Sequence, residues 1–250
     1  MAASLVYTPS TYDTLPSLHH AASEYERRNV SHILDTSIRP LFLDSNLYEK
    51  YGISLLHKHF SMDPTERLVE FHNTSTPWSI GEGNTDATLR HHDGFIVPRT
   101  FTFKDDESPD AGLPMPYEFE FTYDEPKAFT ETEMAFFKAF AALLVAYKLQ
   151  DILGICLLTD ANNDFPLEIT EGRANIMIKG DSVPEDQVTE AVWVFSPEPD
   201  AATNEIAGEG AEAREAPSPP GKVSYKKRCI KTCRKTGPLH NHHAHRPKPG

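Results

Sequence analysis

The chain is poor in cysteine, with three among 250 residues, which excludes a small secreted fold held together by several disulfides. Long apolar runs are also missing. None approaches the ~20 residues that a membrane-spanning helix requires, so no membrane partner is expected. The first residues, MAASLVYTPSTYD, lack the basic segment and the following apolar segment of a secretory signal. Together these absences predict an intracellular, cytoplasmic protein with reduced thiols.

Motifs for covalent catalysis and for nucleotide binding are missing as well. The sequence has neither the G-x-S-x-G turn of serine hydrolases nor a P-loop. Cys156 lies within the apolar run ILGICLL, which is typical of a buried cysteine that packs as a small hydrophobic side chain. The motifs therefore leave open whether the protein is an enzyme.

Positive charge is scarce over most of the chain. Residues 221–250 hold nine of the 24 Lys and Arg residues and none of the 37 acidic ones. The net charge of −13 therefore combines a body of −22 with a basic end of +9. A body of that sign does not suit a phosphate backbone, so only the basic end is a candidate for binding nucleic acid. Within that end, Lys226-Lys227-Arg228 is typical of a short nuclear-import signal, which would direct the protein to the nucleus.

Composition divides the chain into four segments. Residues 1–40 form an N-terminal extension with a helix, and residues 41–196 hold the apolar and aromatic residues of a single α+β domain. Residues 197–220 consist mainly of Glu, Ala, Pro, Gly and Ser, so we predict an acidic disordered linker. Residues 221–250 are predicted to be a basic, His-rich disordered tail, and translated intron sequence is an alternative explanation of their composition.

Periodicity predicts the fold class. The clearest strand is Tyr117–Tyr123, YEFEFTY, in which aromatic residues alternate with polar ones. A T-x-x-E capping box precedes a predicted helix over 131–149, which has no Gly or Pro and is apolar on nearly all sides. Another helix is expected over 17–38, ending at Arg39-Pro40. We therefore predict an α+β fold, with an antiparallel sheet of six or more strands packed on one long buried helix.

The most suggestive side chains lie in two short segments, His57-x-His59 and Glu70-x-His72. Residues i and i+2 of a strand share a face, so each pair points to one side. Asp63-Pro64 suits a type I turn between the two predicted strands. A hairpin of that register would set His59 opposite Glu70 and His57 opposite His72, with all four on one face.

Three imidazoles and a carboxylate could hold a divalent metal such as Zn²⁺, Fe²⁺ or Mn²⁺. The arrangement is similar to the H-x-H plus Glu of cupin barrels, but the closely following Glu and the glycine pattern of that family are missing. An alternative stays open, because the same register places four apolar side chains on the opposite face. The His and Glu residues would then form the solvated side of the sheet. The four apolar residues are Leu56, Phe60, Val69 and Phe71.

A second group of metal-binding residue types lies in the tail. Cys229-x3-Cys233 is followed by four histidines between residues 240 and 245. Two thiolates and two imidazoles could bind Zn²⁺, but the spacing between the cysteines and the histidines is too short for a ββα zinc finger. This group is therefore a weaker candidate than the His57 segment.

From Tyr51 to Arg173 the chain resembles a group of uncharacterised proteins from filamentous fungi. The resemblance lies in an LLHKHF…ERLVE…PYEFE pattern, together with Leu153-Gly154 and Glu171-Gly172-Arg173. It implies a lineage and no mechanism, since no activity is established for that group.

Two functions remain. The first is a non-catalytic binding or accessory protein that engages another protein or a small molecule through a sheet face or edge. The second is a metal-dependent, cupin-like enzyme of fungal specialised metabolism, with His57, His59, Glu70 and His72 as ligands. The first is favoured because no catalytic motif is present.

Overall fold

The computed structural model of the chain describes residues 7–81, 84–103, 112–159, 166–179, 183–197 and 225–235. Within these residues the backbone forms eleven strands and a set of mostly short helices. The strands are β1 (Tyr51–Leu55), β2 (Glu66–Phe71), β3 (Thr74–Ser79), β4 (Leu89–His91), β5 (Gly94–Phe103), β6 (Pro114–Thr122), β7 (Leu153–Leu157), β8 (Leu167–Glu171), β9 (Ala174–Ile178), β10 (Val188–Pro197) and β11 (Tyr225–Arg234). The helices are α1 (Ser10–Asp13), α2 (Leu18–Arg27), α3 (Val30–Ile33), α4 (Arg39–Asp44) and α5 (Glu131–Tyr147), with a π-helical turn at Leu34–Ile38 and a 3-10 turn at Glu185–Gln187.

The strands close into a barrel. Ten of them follow one another in the order β5-β6-β2-β3-β9-β8-β11-β10-β1-β7, and β7 pairs back onto β5 at Thr100 and Phe101. Strand β4 pairs with the other half of the same β5 edge. The predicted α+β fold, a sheet packed on one long helix, is therefore wrong. Alternation looks the same in an open sheet and in a barrel, and closure depends on residues far apart in the chain.

Helix α5 forms as its capping box predicts. The hydroxyl of Thr130 accepts a hydrogen bond from the Glu133 backbone N–H at 3.2 Å, and the Glu133 carboxylate accepts one from the Thr130 N–H at 2.7 Å. Its apolar side chains, including Phe137 and Phe140, pack on the outer wall of the barrel against β1, β5, β7 and β10. The helix thus covers one side of the barrel and does not serve as the base of an open sheet.

The N-terminal segment is largely helical and packs into the same core. Helix α2, helix α3 and the π-helical turn cover most of the helix expected over 17–38, but they are not one continuous helix, because Asn29 has a left-handed φ of 51°. However, the chain stays helical through Pro40, because a proline in the first turn of α4 removes no intrahelical hydrogen bond. Val30, Leu34 and Phe42 are fully buried against α5 and the barrel wall. No helix among the described residues is long and apolar enough to cross a membrane.

Part of the predicted disordered tail belongs to the barrel. Residues Tyr225–Arg234 form β11, which runs antiparallel to β10 and parallel to β8 and fills the gap between them. The prediction of disorder is therefore wrong for these residues. Residues 198–224, which contain nearly all of the predicted acidic linker, and residues 236–250, with the tail histidines, lie outside the described residues.

The barrel interior has a polar centre. Directly paired residues on neighbouring strands share a face, and the face turned away from α5 carries hydroxyl, amide, thiol and charged side chains together with apolar ones such as Val192. These side chains surround a small cavity of about 40 Å³. Its lining from the strands includes Ser54, Glu70, Ser75, Thr100, Glu118, Cys156, Glu168, Lys231 and Cys233.

Candidate metal centre

The segment that carries His57 and His59 leaves β1 and turns across the polar cavity. The Leu56 N–H donates to the Ile152 carbonyl at 2.8 Å, and the Lys58 N–H donates to the Pro16 carbonyl at 2.9 Å. The phenol of Tyr12 accepts the His59 N–H at 3.1 Å. These bonds hold the backbone on both sides of His57 and at His59 itself, and both rings line the cavity.

The ring of His57 is fixed by its Nδ1 atom. Nδ1 lies 2.8 Å from the Leu55 carbonyl oxygen, which can only accept, so Nδ1 carries the proton and Nε2 presents a lone pair. Burial, helped by the neighbouring His59, lowers the pKa of His57 to about 3. The ring is therefore neutral at physiological pH, which is the form that binds a metal.

The ring of His59 is fixed in the same way. Its Nδ1 lies 2.9 Å from the hydroxyl of Thr170, and that hydroxyl donates to the Asn175 side-chain oxygen at 3.0 Å. The Thr170 oxygen must therefore accept the proton on Nδ1. Its Nε2 lies 2.9 Å from Oε1 of Glu168. Both imidazoles thus use Nδ1 for orientation and direct Nε2 into the cavity.

Glu168, on β8, is the third member of the group, and its residue is only 4% exposed. Burial alone would raise its pKa, but Lys231 and His59 outweigh burial and hold the pKa of Glu168 well below its usual range. The Lys231 ammonium lies 2.5 Å from Oε2, which leaves Oε1 for His59. Burial is the largest single effect on Lys231 and lowers its pKa, but Glu168, Cys233 and Glu118 together outweigh burial and raise the pKa above its usual value, so both groups stay ionised.

Ligand atoms of His57, His59 and Glu168 all lie within 4.8 Å of one another. The surrounding cavity of about 40 Å³ has room for an ion or a few water molecules. Organic ligands of ordinary size occupy several hundred Å³ or more, roughly 300–1,000 Å³. The arrangement is therefore suited to a small ion, and an organic substrate would not fit beside it.

The structure separates the other two predicted ligands from this group. Glu70 lines the same cavity but pairs with Arg99 of β5. His72 lies in the turn between β2 and β3 with a φ of 56°, where its exposed ring packs on Phe71.

Glu70 and His72 are predicted ligands only if the predicted hairpin forms. The turn at Asp63 forms, with the Glu66 N–H donating to the Asp63 carbonyl at 2.9 Å. The strands on either side of it do not pair, however. β1 lies between β7 and β10, and β2 lies between β3 and β6. The hairpin is wrong, because both edges of β1 are already occupied by strands that are distant in sequence.

The sequence does not indicate Glu168 as a ligand. Its segment, LEITE, reads as an ordinary strand with alternating polar residues, and only the pairing of β8 with β11 brings it opposite Cys233. No local signal in the sequence indicates that this glutamate points into a barrel.

A much larger cleft, about 1630 Å³, lies elsewhere, beside the first turns of α5 and strands β5 and β6. Its lining includes Glu120, whose pKa is raised by burial despite the opposing effect of Arg99. None of the four predicted ligands lines it, and neither does Glu168.

Comparison with protein-family models, with curated proteins and with solved structures gave no match to this chain.

Proposed function

We propose that the protein is a non-catalytic metal-binding protein whose barrel holds one divalent ion, with His57, His59 and Glu168 as ligands. One observation carries the proposal. Each imidazole is tied at Nδ1 by a neighbouring oxygen, and both Nε2 atoms converge on the same buried carboxylate. Hydrogen bonds of this kind orient histidine ligands in metal sites generally.

A metal ion would also resolve the contact between His59 and Glu168. Nε2 and Oε1 are 2.9 Å apart, so in the absence of a metal a proton must lie between them. A divalent ion bound to both atoms replaces that proton. Two nitrogen ligands and one oxygen ligand suit Zn²⁺ best, and Fe²⁺ or Mn²⁺ are the alternatives.

The size of the cavity favours binding over catalysis. A catalytic metal keeps an open position that faces its substrate. Here the space beside the ligands is about 40 Å³, whereas the 1630 Å³ cleft, which is large enough for a substrate, has none of these side chains in its lining. We therefore favour a metal that stabilises the barrel over a cupin-like metalloenzyme.

The kind of partner and the cellular location are proposed from the outer surface, the cysteines and the basic cluster. A protein or a small molecule would bind the outer surface, where the 1630 Å³ cleft offers a wide concavity. The three cysteines are free thiols, which suits the reducing cytoplasm. The Lys226-Lys227-Arg228 cluster lies on β11, where Lys227 contacts Ser31, and a paired strand of this kind does not favour recognition as a nuclear-import signal.

Elemental analysis of the purified chain after loading with zinc and removal of the excess tests the proposal. We expect one equivalent of zinc in the wild type and its loss in His57→Ala, His59→Ala and Glu168→Gln. His72→Ala is the matched control and should keep the metal, because that ring is exposed in a turn. An absence of stoichiometric zinc in the wild type, or its loss in the His72 variant, would contradict the proposal.

A thermal melt with and without zinc covers the case in which a variant does not fold. If zinc binds only the folded wild type, then free zinc at 100 times its Kd adds about 2.7 kcal/mol to the free energy of unfolding. A melting temperature that zinc does not change would count equally against the proposal.

A further inference from the structure

We propose that Cys233 is the fourth ligand, so that the barrel holds a tetrahedral zinc site of two histidines, one glutamate and one thiolate. This inference rests on the proposed function and extends it to the identity of the metal. Cys233 comes from β11, the strand that the basic tail contributes to the barrel, and it is 2% exposed.

Two of the distances from Cys233 match a ligand shell, whereas its Sγ lies farther from His59. Among the described residues, only ligand atoms of His57, His59 and Glu168 all lie within 4.8 Å of one another. Zinc binding would therefore draw the thiol of Cys233 towards His59. Sγ of Cys233 lies 3.5 Å from Nε2 of His57 and 3.4 Å from Oε1 of Glu168. Zinc bonds of about 2.0–2.2 Å to nitrogen or oxygen and about 2.3 Å to sulfur, at tetrahedral angles, separate neighbouring ligand atoms by roughly 3.4–3.6 Å. The contact between His59 Nε2 and Glu168 Oε1, at 2.9 Å, would widen slightly when a metal replaces the proton.

An irregularity in β11 directs Cys233 towards the cavity and leaves Cys229 on the outer wall. The pairing of β10 with β11 shifts register near Val192, so residues on the two sides of this irregularity do not follow a single alternation. Cys229 lies before it and packs against the apolar core on the outer wall, with its thiol on the Lys231 carbonyl at 3.1 Å. Cys233 lies after it and reaches the cavity.

Cys156 also lines the cavity but lies in a different part of it. Its side chain belongs to a small apolar cluster with Val192, Val194 and Ile230. That environment suits a thiol that packs as a hydrophobic group. Cys156 and Cys229 are therefore natural controls for Cys233, since all three are buried or half-buried thiols in strands.

Binding is an exchange of protons for the metal, with no change in oxidation state. The S–H bond of Cys233 breaks and a Zn–S bond forms. The proton between His59 and Glu168 leaves as Zn–N and Zn–O bonds form, and the lone pair of His57 supplies the fourth bond. Two protons pass to solvent for each zinc bound. Lys231 keeps its proton and its contact with the second oxygen of Glu168.

A thiolate among the ligands narrows the choice of metal. Soft sulfur ligands favour zinc, whereas Mn²⁺ prefers oxygen ligands. The site would also join three distant parts of the chain, at residues 57–59, at Glu168 on β8 and at Cys233 on β11. Zinc would therefore hold β11 in place between its neighbours.

Absorption spectroscopy of the full-length protein loaded with Co²⁺ tests the assignment. A thiolate bound to Co²⁺ gives a sulfur-to-metal charge-transfer band in the near ultraviolet. We expect this band in the wild type and in the Cys156→Ser/Cys229→Ser double variant, whose only remaining thiol is Cys233. We expect Cys233→Ser to lose the band, to bind cobalt at least ~10-fold more weakly and to release one proton fewer.

The outcomes separate the two proposals. If cobalt binds stoichiometrically to the wild type without the charge-transfer band, or if Cys233→Ser keeps the band, Cys233 is not a ligand, although the proposed metal site stands. If the band is absent from the double variant, another cysteine is the ligand. If the wild type binds no cobalt or zinc at all, the proposed function itself fails. The charge-transfer band of the double variant tests Cys233 as the ligand even if Cys233→Ser does not fold.

Discussion

Removing the charge of Glu133 should destabilise the protein in a pH-dependent way. This carboxylate lies in the first turn of α5 and joins the helix to β1. It accepts hydrogen bonds from the Thr130 N–H at 2.7 Å and from the Tyr51 hydroxyl at 2.6 Å, and it pairs with the ammonium of Lys50. Its side chain is 3% exposed. Glu133→Gln keeps the shape of the capping residue and removes the charge.

The lowered pKa of Glu133 gives the expected size of the loss in free energy of unfolding. Burial raises the pKa of Glu133, but the hydrogen bonds from Lys50, Thr130 and Tyr51 outweigh burial and lower it from 4.5 to about 2. Each pKa unit corresponds to about 1.4 kcal/mol, which would give roughly 3 kcal/mol. The side chain of Lys50 is 53% exposed, so solvent screens this pair and we expect about 2 kcal/mol.

The sign of the pH effect follows from the lowered pKa. A carboxyl group that ionises more easily in the folded state stabilises the fold fully above its unfolded pKa of 4.5, and this contribution is lost as the pH falls towards 2. Urea unfolding of wild type and Glu133→Gln between pH 7 and pH 3 measures it. The difference in free energy of unfolding should be about 2 kcal/mol at pH 7 and should shrink on acidification. A difference that is constant across this range would refute the reasoning, and the neighbouring Glu131→Gln is the control.

Two further substitutions test the barrel and its interior. Gly154→Ala should lower the melting temperature, and it should lower the free energy of unfolding by more than ~2 kcal/mol. The reason is that the added methyl group would overlap the Phe101 carbonyl oxygen where β7 pairs with β5. An unchanged thermal melt would contradict barrel closure at this position. Lys231→Met should cost about 3 kcal/mol in urea unfolding, because Glu168 then stays buried without its ammonium partner and keeps only the pairing with His59. The exposed Lys226→Met should change stability by less than ~0.5 kcal/mol, and equal effects of the two would contradict the buried pair.

The sequence predicts local structure here better than it predicts pairing. Helix α5 is evident from its capping box and β6 from alternation, because both signals lie within a few neighbouring residues. The barrel depends on contacts such as β1 with β10 and β8 with β11, which join residues more than 60 positions apart. No periodicity within a segment specifies which strand lies beside it.

The tail strand shows why composition can mislead. The sequence YKKRCIKTCR of β11 has few apolar residues and reads as disordered when a strand is expected to turn an apolar face inward. The centre of this barrel is polar, so Lys231 and Cys233 can point inward while Cys229 packs outward. The usual pattern is therefore reversed for these three residues.

The candidate site also combines residues that the local sequence predicts with residues that only strand pairing brings together. His57 and His59 are recognisable from their spacing, since two histidines two residues apart lie close together in any extended segment. Glu168 and Cys233 are brought to them by β8 and β11, more than 100 residues further along the chain. Glu70 was chosen by a hairpin register that the protein does not adopt.

The polar interior is itself an argument for a bound ion. Most of the apolar packing lies outside the barrel, between its wall and α5 with the N-terminal helices. The interior instead contains buried charges, including the Glu70–Arg99 and Glu168–Lys231 pairs. Burying such pairs costs desolvation energy that their attraction repays only in part, and apolar side chains of similar size would often stabilise a fold as well or better. The buried charges therefore do little to explain why the barrel is stable. A bound metal ion explains the polar interior more directly, because it would bind the two oriented imidazoles, the carboxylate that a lysine keeps ionised and the neighbouring thiol.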